Sequence, residues 1–199
     1  HTLRQRIRLV ATPDPHAGAD GRYHIRSLYF DSDDDRALRE KVAGLPNREK
    51  YRIRLYNGCE DFIRLEKKCK VGSLCNKQSV RLTRGQVEQL LAGDTAWMAD
   101  SGNALLIEFY AKLRHQRLRP KTLVDYWREA YRFPYGNVRI TFDADLRTGV
   151  HATGLFDPNT PTLRAGEPGL LLLEVKYDRF LPDLIRDLIQ TNMRHSESF

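Results

Sequence analysis

The stretch KYRIRLYNGCEDFIRLEKKCK, from Lys50 to Lys70, alternates apolar and charged residues: Tyr51, Ile53 and Leu55 against Arg52 and Arg54, then Ile63 and Leu65 against Arg64, Glu66 and Lys68. Period two is the signature of a strand, because successive side chains leave opposite faces of a sheet. Asn57-Gly58 between the runs supplies the positive φ of a tight turn. The stretch therefore reads as a β-hairpin with one apolar face, its other face carrying Arg52, Arg54, Arg64, Glu66, Lys68 and Lys70. A half-buried sheet often turns a charged face to water, so this hairpin alone weighs equally for a solvated surface and a binding surface.

The pattern recurs along the chain. Val138, Ile140 and Phe142 alternate with Arg139, Thr141 and Asp143; Arg128 shares parity with Tyr126; Glu174 and Lys176 oppose Leu173, Val175 and Tyr177; Lys77, Ser79 and Arg81 make a further row. RYHIRSLYFD, from Arg22, reads as another strand. Helical spacing marks Thr2 to Ala11 and DDDRALREKVAG, the latter opened by an Asp cap and closed by Gly44. A Thr83/Gln86 capping box opens a third helix ending near Gly93. A fourth runs roughly from Asn103 to Gln116 with Leu106, Phe109, Tyr110 and Leu113 as its stripe, and a fifth from about Pro182 to Gln190. Thr12 to Pro15, Gly18 to Gly21 and the stretch up to about Gly169 read as loops. With no repeat, low-complexity tract or linker, residues 1–199 are expected to form one α+β domain, built around an antiparallel sheet or barrel with helices packed outside.

Composition narrows the partner. Of 199 residues 41% are hydrophobic and 30% charged, which fits a chain with a real core and excludes disorder. The formal charge of +7 favours nucleic acid, an anionic membrane or phosphate-rich small molecules. No apolar run approaches the roughly 20 residues of a membrane span, and no start resembles a signal peptide. Cys59, Cys69 and Cys75 lack paired metal-type spacing, so reduced thiols and a cytoplasmic location are expected. His16, His24, His115, His151 and His195 read as ordinary surface or loop residues.

A closed barrel would turn the charged face into a lumen lined with Arg and Lys. Two like charges ~4 Å apart repel by about 1 kcal/mol in water and about 4 kcal/mol when partly buried, so such a lining calls for an anion. Polyphosphate groups meet that need: guanidinium grips phosphate oxygens bidentately, and ammonium acts as a mobile point charge. Glu66 and Glu174 are out of place in a pure anion site. They either hold a divalent cation, for which hard oxygens suit Mg2+ or Mn2+, or pair with lysine neighbours, and spacing weighs the two equally.

SLYFD (Ser27 to Asp31), KYRIRLY, FIRLEKK, LRPKTLVDYWREAY, NVRITFD and LLLEVKYD follow one another in an order that resembles the VTC domain. That domain is the catalytic domain of polyphosphate polymerases, within the triphosphate tunnel metalloenzyme superfamily, and the sequence resembles a bacterial member. The resemblance covers nearly the whole chain. It implies an antiparallel tunnel that binds a nucleoside triphosphate, ATP first, with Mn2+ or Mg2+, and moves the γ-phosphate onto a polyphosphate chain. Carried over by motif, Arg52, Arg54, Lys68, Arg128 and Arg139 are the expected catalytic cations, and Glu174 the metal ligand. Arg64, Lys70, Lys77 and Lys176 are expected on substrate, with Glu66 as a further metal ligand from its place on the charged face. The family normally begins with a strand bearing an ExK-like motif and continues past its end with a Ser-Lys pair. Since this chain starts at His1 already in helical pattern and stops at RHSESF, it is expected to lack that strand and that end.

Phosphoryl transfer rests on alignment and charge neutralisation, and a polyphosphate end is already ionised near neutral pH, so no general base is expected. Two alternatives stay open: a tunnel triphosphatase, in which a carboxylate such as Glu66 orients water, and a non-catalytic polyphosphate or inositol phosphate-binding module. Nucleic acid is not expected as a partner, because the cations alternate along strands and aromatics are not expected to share their face for stacking. A membrane-protein partner for product export fits the resemblance and has no trace in this sequence.

Overall fold

Asn57 and Gly58 adopt φ of 51° and 65°, the turn that Asn-Gly predicts, and join β3 (Arg48–Tyr56) to β4 (Cys59–Val71). The structure, a computed structural model, describes residues 2–190. Its other strands are β1 (Thr12–Pro13), β2 (Tyr23–Asp31), β5 (Leu74–Leu82), β6 (Arg119–Phe133), β7 (Val138–Val150), β8 (Leu163–Arg164) and β9 (Leu171–Lys176). The helices are α1 (Thr2–Arg8), α2 (Arg36–Val42), α3 (Arg84–Leu91), α4 (Ala104–His115) and α5 (Asp183–Ile189). Strands are hydrogen-bonded in the order β5-β4-β3-β2-β6-β7-β8, with β1 on β6 and β9 on β7. The α+β class and antiparallel pairing match expectation. Among the described residues the sheet does not close: β5 and β8 stand at its two ends. No helix among them is long and apolar enough to cross a membrane.

The described residues fall into two compact units. The larger comprises His24–Tyr126 and Asp145–Gly169. Its core sets Leu28, Phe30, Tyr51, Ile53, Leu55, Ile63 and Leu65 of β2 to β4 against Val87 and Leu90 of α3 and Leu106, Phe109 and Leu113 of α4. Phe109 meets Phe30 edge-on and stacks on Tyr51, each at 5.1 Å between centroids. Full burial of each such side chain contributes roughly 1.5–3 kcal/mol, so the helices fix which sheet face is apolar and leave the other for polar chemistry. The Thr83/Gln86 capping box forms as expected, and Asn103 caps α4 by accepting from Leu105 N and Leu106 N.

Two local expectations are corrected. Asp35 precedes α2 but makes no side-chain cap, because its backbone is left-handed at φ 55°. Asp31, at the end of β2, reaches over instead and accepts from Ala37 N at 2.8 Å and Leu38 N at 3.1 Å, while Ser32 Oγ accepts from Arg36 N. The segments read as loops also contain the two short strands β1 and β8, each only two residues long and so without a period to detect.

Within the described residues the smaller unit draws on residues 2–23, Trp127–Ala144 and residues 170–190. Ile7 of α1 and Ile185 and Ile189 of α5 pack on Tyr131, Val138, Ile140 and Phe142. The turn between β6 and β7 depends on Gly136, at φ 72°, where an added Cβ would lie 2.6 Å from the Phe180 carbonyl oxygen. The expected Ser-Lys departure at RHSESF and the reading of His195 fall outside the described residues.

Candidate anion-binding site

Strand register turns the period-two pattern into rows that run across the sheet of the larger unit. Arg54 faces Arg64, which faces Arg81. One step along, Tyr29, Arg52, Glu66 and Ser79 stand side by side, and one step further Lys50, Lys68 and Lys77 do. Arg48, Lys70 and Cys75 form the next row. Directly opposed residues have Cβ atoms about 4.5–5.5 Å apart, where like charges destabilise a sheet. An arginine row and a lysine row thus flank a single buried carboxylate.

That carboxylate is Glu66, whose side chain is 3% exposed. Arg52 Nε and Nη2 donate to Glu66 Oε2 at 2.8 and 2.7 Å, Lys77 Nζ donates to Oε1 at 2.6 Å, and Arg54 Nη1 lies 3.8 Å from Oε2. Burial pushes the Glu66 pKa up, but Arg52 and Arg54, with Lys77, outweigh it and hold the group down at about 2. Arg54, itself buried, donates to Ser27 Oγ and to the Tyr126 hydroxyl, both at 3.1 Å. Arg52 Nη1 donates to the Tyr29 hydroxyl at 2.8 Å. Burial raises the Tyr29 pKa, yet the field of Arg52, Lys50 and Arg54 prevails and lowers it. The Lys50 pKa is lowered by burial first, with repulsion from Arg52 and Lys68 adding to it. Among the described residues Lys68 and Lys70 have no ion-pair partner, whereas Arg64 donates to Ser79 Oγ at 3.0 Å.

Aromatics share this face, each lying against a cation of the same chain. Lys50 and Arg52 lie over Tyr29, Arg54 over Tyr56 and Arg64 over Phe62, with cation-to-ring distances of 4.6–5.9 Å. Each ring is covered by a cation of the chain itself, so it is not presented for base stacking.

The remaining expected residues lie in the smaller unit. Register places Arg139 opposite Lys176 and Thr141 opposite Glu174. Arg139 Nη2 donates to Asp14 Oδ2 at 3.2 Å and to the Tyr23 hydroxyl at 3.1 Å, and Arg132 shares the same carboxylate oxygen at 3.5 Å. Arg128 grips Asp143 bidentately, with both contacts at 2.6 Å. Lys176 sits 3.3 Å from Glu174, whose side chain is 48% exposed.

The two expected metal ligands differ in fitness. Glu66 has both oxygens engaged by cations, and a dication there would face Arg52, Arg54 and Lys77 at once, so it does not fit. Glu174 fits a hard divalent ion better: its carboxylate is accessible, and the in-register Thr141 Oγ1 is buried without a hydrogen-bond partner. Mg2+ is commonly held by one or two carboxylates plus substrate phosphates, which suits a lone glutamate. Among the described residues no cluster of His, Cys, Asp or Glu forms a ready-made metal cage.

Sequence reasoning missed Ser27, Tyr29 and Tyr126 as supports of the arginines, and Asp14 and Asp143 as their counter-charges. Ser27 and Tyr29 were detectable, since SLYFD obeys the same parity. It also missed the Arg26–Asp125 pair, bidentate at 2.9 Å in both contacts and buried, although Arg26 shares parity with the core residues Leu28 and Phe30.

Comparison with known proteins agrees with the motif order. The VTC domain family matches residues 1–199. No curated protein matches the chain. Solved structures similar in part include a provisionally assigned adenylate cyclase from Bacillus halodurans, with TM-score 0.47 and 14% identity, covering 75% of this chain and 68% of that one. Another is the PH1819 protein from Pyrococcus horikoshii OT3, with TM-score 0.44 and 12% identity over 94% of this chain and 78% of that one. Likeness at this level carries no argument about function.

Proposed function

The chain belongs to the VTC domain family, and from that premise we propose that it is the catalytic domain of a polyphosphate polymerase, moving the γ-phosphate of a nucleoside triphosphate, ATP first, onto a polyphosphate chain. The observation that carries this reading is the pair of in-register cation rows, Arg54–Arg64–Arg81 and Lys50–Lys68–Lys77. Arg54 and Lys50 are four residues apart on β3, about 14 Å at strand rise. A linear polyanion reaches from one row to the other, whereas a single phosphate engages only one.

Arg52, Arg54 and Arg64 supply fixed forks for phosphate oxygens, and Lys68 and Lys70, which have no ion-pair partner among the described residues, supply point charges. Their work is alignment and neutralisation of charge that spreads over the transferred group. Arg128, Arg139 and Lys176 are proposed as further phosphate contacts. Glu174 is the residue that would hold Mn2+ or Mg2+, which when bound neutralises phosphate oxygens. Transfer is favoured over hydrolysis by one observation: Glu66, the carboxylate that would orient an attacking water, is fully engaged by Arg52 and Lys77.

Incubation with ATP and Mn2+ or Mg2+, with products resolved on a polyphosphate gel, tests this reading. Long chains absent from an R54Q control support the polymerase. Free phosphate alone supports the triphosphatase, and triphosphate binding without turnover supports the binding module.

A further inference from the structure

Glu66 is central on a face otherwise built for anions, and its geometry disagrees with a metal ligand. Its buried carboxylate occupies the position that a phosphate oxygen would take: it receives two contacts from Arg52, one from Lys77, and lies 3.8 Å from Arg54. The rows on either side, headed by Arg54 and Lys50, each stand two residues away along β3, about 7 Å.

We propose that Glu66 is a built-in counter-anion that sets the minimum charge and length of the anion this face accepts, making it a specificity-determining residue. A single orthophosphate arriving at Arg52 meets the Glu66 charge and must compete with it for the same guanidinium. A chain of several phosphates is held by the flanking arginine and lysine rows and passes over Glu66 without having to take its place on Arg52, so it escapes most of that cost. The carboxylate therefore selects for linear polyphosphate and against orthophosphate and other compact anions. It also quiets the cation face when no substrate is present, since its single negative charge offsets one of the two positive charges on Arg52 and Lys77 that it touches. This inference rests on reading the face as polyphosphate-binding.

The test is calorimetric titration of the whole chain with inorganic tripolyphosphate and with orthophosphate, without metal and at fixed ionic strength. The wild type is expected to prefer tripolyphosphate strongly. In E66Q orthophosphate affinity is expected to rise tenfold or more, and the preference ratio to fall at least tenfold; E66D, which keeps the charge, should restore the ratio. An unchanged ratio, or equal weakening toward both anions, overturns the proposal and leaves Glu66 as a purely structural partner of Arg52. Should E66Q fail to fold, the wild type titrated with orthophosphate, pyrophosphate and tripolyphosphate serves: affinity is expected to jump tenfold or more at the length that first reaches from Arg52 to a flanking row, and equal steps per added phosphate overturn the proposal. A wild type that binds no tripolyphosphate refutes the polyphosphate reading of the face, whereas binding with an unaltered ratio in the variants refutes only the role of Glu66.

Discussion

Lys68 stands in the middle of the lysine row, opposite Lys50 on one side and Lys77 on the other, exposed and with no ion-pair partner among the described residues. Replacing it with Gln removes two like-charge juxtapositions. Directly opposed pairs interact by roughly 0.2–1 kcal/mol each, so K68Q is expected to stabilise the free protein by about 1 kcal/mol. For a chain of this size that raises Tm by roughly 2–4 °C. The same change removes a charge-assisted phosphate contact, worth about 1.5–3 kcal/mol, and so weakens tripolyphosphate binding by about 10- to 100-fold. The Lys50 pKa, now depressed by burial and by Arg52 and Lys68, should rise toward its ordinary value. Thermal melts at low salt and at 1 M salt, where the Debye length falls to about 3 Å, check the electrostatic origin: the stabilisation should shrink at high salt. A variant that is less stable than wild type, or equally stable with unchanged anion affinity, would show that Lys68 neither strains the lysine row nor holds phosphate.

Glu66 titrates at about 2 in the folded chain, below its ordinary 4.5, so its pairing contributes stability above pH 4.5 that is lost as pH falls toward 2. The shift corresponds to about 3 kcal/mol, and E66Q should flatten that part of a stability-against-pH curve measured by urea unfolding. Asp125→Asn leaves the buried Arg26 without its charge partner and is expected to destabilise by about 3–5 kcal/mol, a loss visible in the urea midpoint. Asp31→Ala strips the cap from Ala37 N and Leu38 N and should cost about 1–2 kcal/mol, with amide exchange accelerated first in α2.

The hairpin and the strands of comparable length were legible because a half-buried strand writes its two faces into alternate residues. The same parity put Arg52, Arg54, Arg64, Glu66 and Lys68 on one face, and the register then stacked them into rows. What parity does not carry is pairing. Whether Arg128 is open or locked to Asp143, and whether Glu66 looks outward or is enclosed by Arg52 and Lys77, depends on residues 15, 14 and 11 positions away meeting across strands. The α2 cap shows the same limit: an Asp directly before a helix suggests an N-cap, yet the carboxylate that does the work is Asp31, four residues earlier than Asp35. Asp14 lies beside a two-residue strand in a segment rich in Pro and Gly, where no period exists to mark it.

A crystal structure of the chain with inorganic tripolyphosphate shows whether polyphosphate binds across the face of β3 to β5. A phosphate chain is expected to lie over Arg52, in contact with Arg54 or Arg64 on one side and Lys68 on the other. Tripolyphosphate seated elsewhere, with these side chains still paired as in the free protein, means that this face is not the polyphosphate site.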